Sequence, residues 1–221
     1  MTESWIPDDW TFKSDDVANR FDQHVRDTLP WYDLATHGVA HLVRAYLPEG
    51  GTMYDIGAST GNIGRATADT IKTRNAKLIA IEPAEEMARL YKAPGNLEIV
   101  SATEYPYEKF DVAVLFLVLM FITSDERTKL INRLEQELNP GGVIIIVDKI
   151  EAEPGYLGST LTRWTLRQKQ LGGINHAEII DKELSLVGTQ RPISPNYLEQ
   201  YTCWLRIGEF AGYIFENDQH L

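Results

Sequence analysis

The chain has 221 residues and a formal net charge of −11 at pH 7. That length suits one domain with a full core. The acidic balance disfavours nucleic acid as a partner, since phosphates are held by concentrated positive charge. Hydrophobic residues make up 43% and charged residues 24%, a globular composition, and no apolar run reaches the ~18 residues of a membrane-spanning helix.

Cys203 is the sole cysteine, which excludes an internal disulfide and a thiolate metal cage. The opening Met-Thr-Glu-Ser-Trp-Ile-Pro-Asp-Asp lacks the basic-then-apolar pattern of a secretion signal, so a cytoplasmic protein without a membrane partner is expected. Arg163, Arg167 and Lys169 could form a local basic face for nucleic acid, but a solvated helix face explains them more simply.

In chain order, residues 1–13 look irregular yet carry Trp5, Trp10 and Phe12, aromatics that call for a packing partner. Val17, Phe21 and Val25 share a face and predict a helix over 15–26. A second helix is expected over 32–46, ended by Pro48-Glu-Gly-Gly51. Strand and helix then alternate: strand 52–57, helix 62–74, strand 77–82, helix 84–92 and strand 97–101. Strand 110–117, helix 125–138 with Thr123 or Ser124 as N-cap, and strand 142–148 follow. Such alternation implies a parallel sheet. Beyond it come helices over 155–171 and 176–186, a rigid Arg191-Pro-Ile-Ser-Pro195 linker, and short strands near 201–207 and 210–216. One domain is expected, with an N-terminal helical cap (1–50), a core (51–150), a helical insertion (151–195) and closing strands (196–221).

The most informative stretch is Met53-Tyr-Asp-Ile-Gly-Ala-Ser-Thr-Gly-Asn-Ile-Gly64, an apolar strand that stops at glycines and opens a helix. Glycine tolerates positive φ and lets a ligand approach the backbone. The first turn of the helix then offers free N–H donors to an anionic group. Lys77-Leu-Ile-Ala-Ile-Glu82 places an acid at the end of the second strand, where it can accept hydrogen bonds from both hydroxyls of a ribose.

Asp55-x-Gly57-x-x-x-Gly61, Ile81-Glu82-Pro83 with Met87, Phe110-Asp-Val-Ala-Val114 and Leu138-Asn-Pro-Gly-Gly142-Val resemble the ordered motifs of class I S-adenosylmethionine-dependent methyltransferases. Phe21-Asp22, Leu29-Pro-Trp-Tyr32 and Glu178-Ile-Ile-Asp-Lys182 are similar to the carboxy-S-adenosylmethionine synthase-like branch. The resemblance implies an α/β, Rossmann-like fold: a seven-stranded, mostly parallel sheet with helices on both faces, an N-terminal helical extension, and an insertion after the fifth strand that roofs the acceptor. It implies S-adenosylmethionine as cofactor and an unidentified, small-molecule methyl acceptor. The chain departs from the synthase pattern in three places. Glu183 stands where that pattern has an arginine for the cofactor's extra carboxylate, Thr103 with Glu104 beside it replaces an adenine-facing acid, and Phe116 replaces a polar residue.

The cofactor-binding candidates are therefore Asp55, Gly57, Ala58, Ser59 and Gly61 in the turn and Glu82 for the ribose. The resemblance adds Tyr32 at the methionine end, Thr103 and Glu104 on the adenine side, and Phe116. Tyr32 and Phe116 also read as plain core aromatics. Acceptor-side candidates are Lys149, Arg191, His24 and His176, each of which also reads as an ordinary surface or structural residue. His37 and His41 lack a third ligand, so no metal is expected. The aromatic N-terminus and the insertion offer surface for a homodimer.

Three rivals come from other classes. Gly57-Ala-Ser59-Thr-Gly61 also fits the nucleophile elbow of a serine hydrolase, although that elbow normally follows several strands. A nicotinamide-dependent dehydrogenase shares the opening but uses Gly-x-Gly-x-x-Gly, not Gly57-x-x-x-Gly61. A non-catalytic protein that only holds the cofactor is the third, because fold does not fix function.

Overall fold

A computed structural model describes residues 5–217; the outermost residues of the N-terminal cap and of the closing strands, 1–4 and 218–221, lie outside the described residues. Two N-terminal helices, α1 (Asp15–Thr28) and α2 (Tyr32–Tyr46), precede the sheet. Next come β1 (Thr52–Ile56), α3 (Asn62–Thr73), β2 (Lys77–Ile81), α4 (Glu85–Ala88) and β3 (Asn96–Glu98). The second half of the core is β4 (Phe110–Phe116), α5 (Ser124–Glu137) and β5 (Leu138–Lys149). The insertion is α6 (Gly155–Leu171) and α7 (His176–Ser185), and β6 (Thr202–Ile207) and β7 (Phe210–Glu216) close the sheet.

The seven strands lie in the order β3-β2-β1-β4-β5-β7-β6, all parallel except β7, which runs antiparallel to both neighbours. Consecutive side chains of a strand point to opposite faces. Val112, Val114 and Phe116 of β4 accordingly join Val143, Ile145 and Val147 of β5 under α2 and α3. Ala113 and Leu115 join Ile144 and Ile146 against Leu130, Ile131 and Leu134 of α5. Both faces are covered, which is why β4 and β5 read as continuous apolar runs.

Sheet order reverses between β1 and β4. The carboxyl ends of β1, β2, β4 and β5 therefore open onto one crevice, the place where open α/β sheets bind ligands. The insertion and the N-terminal segment lie over it. Trp10 N–H donates to Ser185 O at 2.9 Å, and Trp5 Nε1 to Glu178 Oε1 at 2.9 Å. At Gly172, just past α6, a Cβ would come 2.3 Å from Asp27 O of α1, so only glycine permits that approach.

Three boundaries differ from the sequence expectation. Helix 84–92 is only Glu85–Ala88, because Lys92 N–H donates to Thr60 O at 3.0 Å instead of continuing the helix. Strand 97–101 is the three-residue edge strand β3, after which Ser101 and Thr103 bond each other's hydroxyls at 2.9 Å. Strand 142–148 begins at Leu138, and Asn139-Pro-Gly-Gly142 forms a bulge between the Phe110–Leu138 and Val112–Val143 pairs. Thr123 occupies the N-cap position of α5, yet its hydroxyl bonds Glu126 Oε2 at 2.6 Å rather than the backbone.

Asp111 ties the amino-terminal ends of the strands together. Its Oδ2 accepts from Thr52 N–H at 2.8 Å and its Oδ1 from Asn139 Nδ2 at 2.9 Å. Asp111→Ala is expected to cost about 1–3 kcal/mol in chemical denaturation. Cofactor affinity measured by calorimetry should stay unchanged, because the ligand crevice is at the other end of the sheet.

Candidate functional site

The site is built from the turn that follows β1. Gly57 (φ 70°), Ser59 (φ 51°) and Gly61 (φ 94°) all adopt left-handed backbone. A Cβ on Gly57 would sit 2.5 Å from Val118 Cγ2, and one on Gly61 2.9 Å from Ala93 Cβ. Glycine is thus demanded by backbone angle and by neighbouring side chains. Ser59 holds the same backbone region at a cost, as non-glycine residues there do.

Glu82, buried at the end of β2, locks this turn. Its Oε2 accepts from Ser59 N–H at 2.8 Å and its Oε1 from Ala84 N–H at 2.9 Å. Burial raises its carboxyl above the usual value, and the two N–H groups pull it back. Each oxygen keeps a lone pair for a further donor. Asp55 is 1% exposed and accepts from Gly64 N–H at 3.2 Å. Burial pushes its carboxyl up to about 7, the Gly64 N–H opposes this, and the charge of Glu82 adds to it.

Supports of the turn come from the N-terminal helices. Thr60 Oγ1 donates to Asp22 Oδ1 at 2.5 Å, and Arg65 reaches both Thr60 O and Asp22. Asn62, the first residue of α3, bonds Thr36 Oγ1 at 2.9 Å. The Arg26 guanidinium lies over the Tyr32 ring at 5.2 Å, and Tyr32 meets Phe116 edge-on with centroids 5.2 Å apart.

The floor between β4 and α5 is pinned by a second buried carboxylate. Asp148 Oδ2 accepts from Val118 N–H at 3.0 Å and Leu119 N–H at 2.7 Å, while Oδ1 accepts from Lys149 N–H at 2.8 Å. Burial raises this acid to about 7, against the pull of those donors. Leu117 is thereby held at φ 61°.

One cavity of about 360 Å³ runs from this turn to the underside of α6 and α7. Of the expected cofactor residues it is lined by Tyr32, Asp55, Gly57, Ala58, Ser59, Glu82, Thr103 and Phe116. Gly61 lies behind the lining, where it lets the chain turn against Tyr91 and Ala93. Glu104 is exposed and outside it. Of the acceptor-side expectations, His24 and Lys149 line the cavity. His176 and Arg191 are exposed and do not, because His176 begins α7 and Arg191 bonds Met120 O through its backbone.

Sequence reasoning did not select Trp10, Met120, Phe121, Lys169, Lys182 or Gln190, all of which line the far end. Lys182 ends the Glu178-Ile-Ile-Asp-Lys182 motif and Lys169 reads as part of a basic face, but neither motif nor face assigns them to the site; the others come from segments that carry no motif, with only the demand of Trp10 for a packing partner as a hint. Lys149 Nζ donates to Gln190 Oε1 at 3.0 Å and pairs with Glu209 at 3.8 Å. Glu183 is ion-paired with Lys169. Burial alone would raise the Glu183 carboxyl, but Lys169, Lys149 and Lys182 together hold it below the usual range.

Ser59 Oγ is buried with no hydrogen-bond partner among the described residues. No base lies within hydrogen-bond reach of it among the described residues, which counts against the hydrolase reading of Gly57-x-Ser59-x-Gly61. An unsatisfied hydroxyl beside a carboxylate with spare lone pairs fits a hydroxyl-bearing ligand such as a ribosyl cofactor.

Comparison with known proteins agrees. A methyltransferase domain matches residues 53–142. The carboxy-S-adenosyl-L-methionine synthase of Staphylococcus epidermidis is 30% identical over 197 residues, covering 86% of this chain and 86% of that protein. The chain belongs to the class I S-adenosylmethionine-dependent methyltransferase family. Within it, the chain falls nearest the carboxy-S-adenosylmethionine synthase-like branch. The synthase of Shewanella halifaxensis is 25% identical over 222 residues, covering 92% of this chain and 91% of that one. Among solved structures, human N-acetylserotonin methyltransferase in complex with S-adenosylmethionine has a TM-score of 0.60 at 12% identity, over 93% of this chain and 57% of that chain. The plantazolicin methyltransferase, in complex with a monoazolic desmethylplantazolicin analogue and S-adenosylhomocysteine, has a TM-score of 0.57 at 12% identity, over 91% of this chain and 89% of that chain. The fold is that of the family, and S-adenosylmethionine is its cofactor. No helix among the described residues is long and apolar enough to cross a membrane.

Asp55 gives a pH-dependent test. Its carboxyl, raised to about 7 by burial, costs stability that appears as pH rises from the unfolded value of 3.8 through 7. Asp55→Asn keeps an oxygen for Gly64 N–H and carries no charge. The variant should therefore be about 1–3 kcal/mol more stable than wild type at about pH 8, with the gain vanishing at about pH 4. Thermal unfolding at the two pH values checks it.

Proposed function

We propose that this protein moves the methyl group of S-adenosylmethionine to a small acceptor held beneath α6 and α7. The observation that carries this reading is the continuity of the cavity, which runs from the Glu82-locked turn to an end lined by Trp10, Phe121, Lys149 and Lys182. When bound, the cofactor supplies a methyl group already activated by a sulfonium. The protein has then to align the partners and exclude water.

In this reading Glu82 accepts hydrogen bonds from the ribose hydroxyls, and Ser59 supplies the nearby hydroxyl. Asp55 keeps the glycine turn in shape through Gly64 N–H. Thr103 stands on the adenine side. Tyr32 and Phe116, packed edge-on, orient the methionine end. Lys149 and His24 face the acceptor. His176, Arg191 and Glu104 have no part in it. A cytoplasmic location and a small-molecule rather than nucleic-acid acceptor fit the net charge of −11.

A second reading is a carboxy-S-adenosylmethionine synthase-like activity. Glu183 in place of arginine counts against it in the sequence. Its charge is matched by Lys169, however, so an added carboxylate would not meet a bare acid. Overall likeness to the synthases supports the same reading.

Calorimetric titration should give micromolar binding of both S-adenosylmethionine and S-adenosylhomocysteine, and Glu82→Ala should weaken both by about tenfold or more. No binding of either compound would sink the proposal. Native mass spectrometry of the purified protein separates the two readings, since a retained carboxylated cofactor would promote the second. In that case Glu183→Arg should favour the carboxylated cofactor further over the ordinary one.

A further inference from the structure

Ten large apolar side chains are exposed among the described residues, and seven of them lie on the α6–α7 hairpin. α6 is 17 residues long, yet Gly158 is its only buried residue. A helix with so little packing is marginal by itself in water. Leu157, Trp164 and Leu171 recur along it at seven-residue spacing, with half-buried Leu161 between the first two. Tyr156, beside Leu157, is 83% exposed. Ile180 and Leu184 of α7 and Val187 just beyond it follow at spacings of four and three, and Val187 is 74% exposed. Both spacings are those of a seam by which one helix packs against another.

The two stripes face away from the cavity. Residues two apart on a helix point about 200° apart. Lys169 and Lys182 line the cavity, so exposed Leu171 and Leu184 point outward from it. Lys169 pairs with Glu183, which holds the two helices side by side and leaves both stripes on the outer surface of the roof.

Area and charge say what covers that surface. Scaled by their exposure, the seven side chains offer roughly 500 Å² of apolar area. A standard protein interface buries about 800 Å² on each partner, of which about 500 Å² is apolar. Arg163 and Arg167 run beside the α6 stripe, exposed and without an ion pair among the described residues. Asp181, next to Ile180 on α7, has no ion pair there either. One edge of the roof is therefore basic and the other acidic. A two-fold axis that lays one roof on another brings each copy's α6 edge over the other's α7 edge. A lipid surface suits the stripes less, because anionic headgroups would repel a chain of net charge −11.

We propose that the outer face of α6 and α7 is the interface between two copies of this chain, with Arg163 and Arg167 of one copy opposite Asp181 of the other. The same helices carry Lys169 and Lys182 on their inner faces. The second copy therefore holds the roof in place, and the far end of the cavity takes its shape in the dimer. This assignment does not depend on the methyl-transfer reading.

Sedimentation of the full chain from micromolar to near-millimolar concentration tests it. Wild type should move from the 25.0 kDa of one chain toward twice that mass. Leu184→Arg places a charge in the stripe at an exposed position, where the fold tolerates it, as thermal unfolding can check. Its dimer dissociation constant should rise by about tenfold or more. Arg167→Glu and Asp181→Arg, each acting twice across the axis, should each raise the constant by about threefold or more, and the two together should restore it. Hydrogen exchange reads the roof directly: amides of α6 and α7 should gain protection as concentration rises, and those of β4 and β5 should not. A chain that stays monomeric throughout overturns the proposal, and one that instead binds phosphatidylcholine–phosphatidylserine vesicles assigns the stripes to a lipid surface. A dimer that Leu184→Arg leaves intact also overturns it, since the interface then lies elsewhere, such as the free edge of β6. Failure of the double exchange to restore what each single change lost would overturn the two-fold pairing.

Discussion

The crevice depends on one carboxylate. Glu82 bridges the turn after β1 and the turn after β2 through two backbone N–H groups. Without it, the left-handed Ser59 would have nothing to hold it, and the ends of two neighbouring strands would no longer share a fixed geometry. The same group is placed to grip a ribose, so the interaction that makes the turn rigid is the one offered to the ligand. A buried acid with spare acceptor capacity is costly in an empty protein and useful in an occupied one. Asp148 plays the matching part on the other side of the switch point, holding Leu117, Val118 and Leu119 against the glycine turn.

Two halves of the cavity follow different physics. The cofactor half is backbone turns fixed by buried acids on a rigid sheet. The acceptor half is side chains from a helical insertion and an aromatic segment. Its cations sit among apolar rings rather than in water, which changes their chemistry more than their number does.

Much of the fold was legible because both physical signals were strong. Continuous apolar runs marked β4 and β5, glycine marked the turn after β1, and the amphipathic face of α1 marked the cap. Boundaries slipped where a tertiary bond overrode local pattern, as when Lys92 turned to Thr60 and cut α4 short. The candidate residues of the turn and Glu82 lie on contiguous motifs that spacing could reach, whereas Tyr32, Thr103 and Phe116 came from the resemblance; all but Gly61 and Glu104 line the cavity. Glu104, next to the lining Thr103 on an irregular turn, is exposed and lies outside the lining. The far side was less legible: Trp10, Lys169 and Lys182 are brought together only by folding, and neither the Glu178-Ile-Ile-Asp-Lys182 motif nor the aromatic N-terminus said in the sequence which cavity they would line. Even Glu183, read as a bare repulsive acid, changes meaning once Lys169 is found against it.

The roof is tied across the length of the chain, Trp10 to Ser185 and Trp5 to Glu178. Contacts between segments so far apart in sequence close large loops and form late. They also involve few strands and little of the main core, so they belong to the low-stability end of the molecule. The acceptor chamber is therefore assembled after the sheet and comes apart before it. In a warming sample the crevice beside the glycine turn is expected to outlast the chamber beneath α6 and α7.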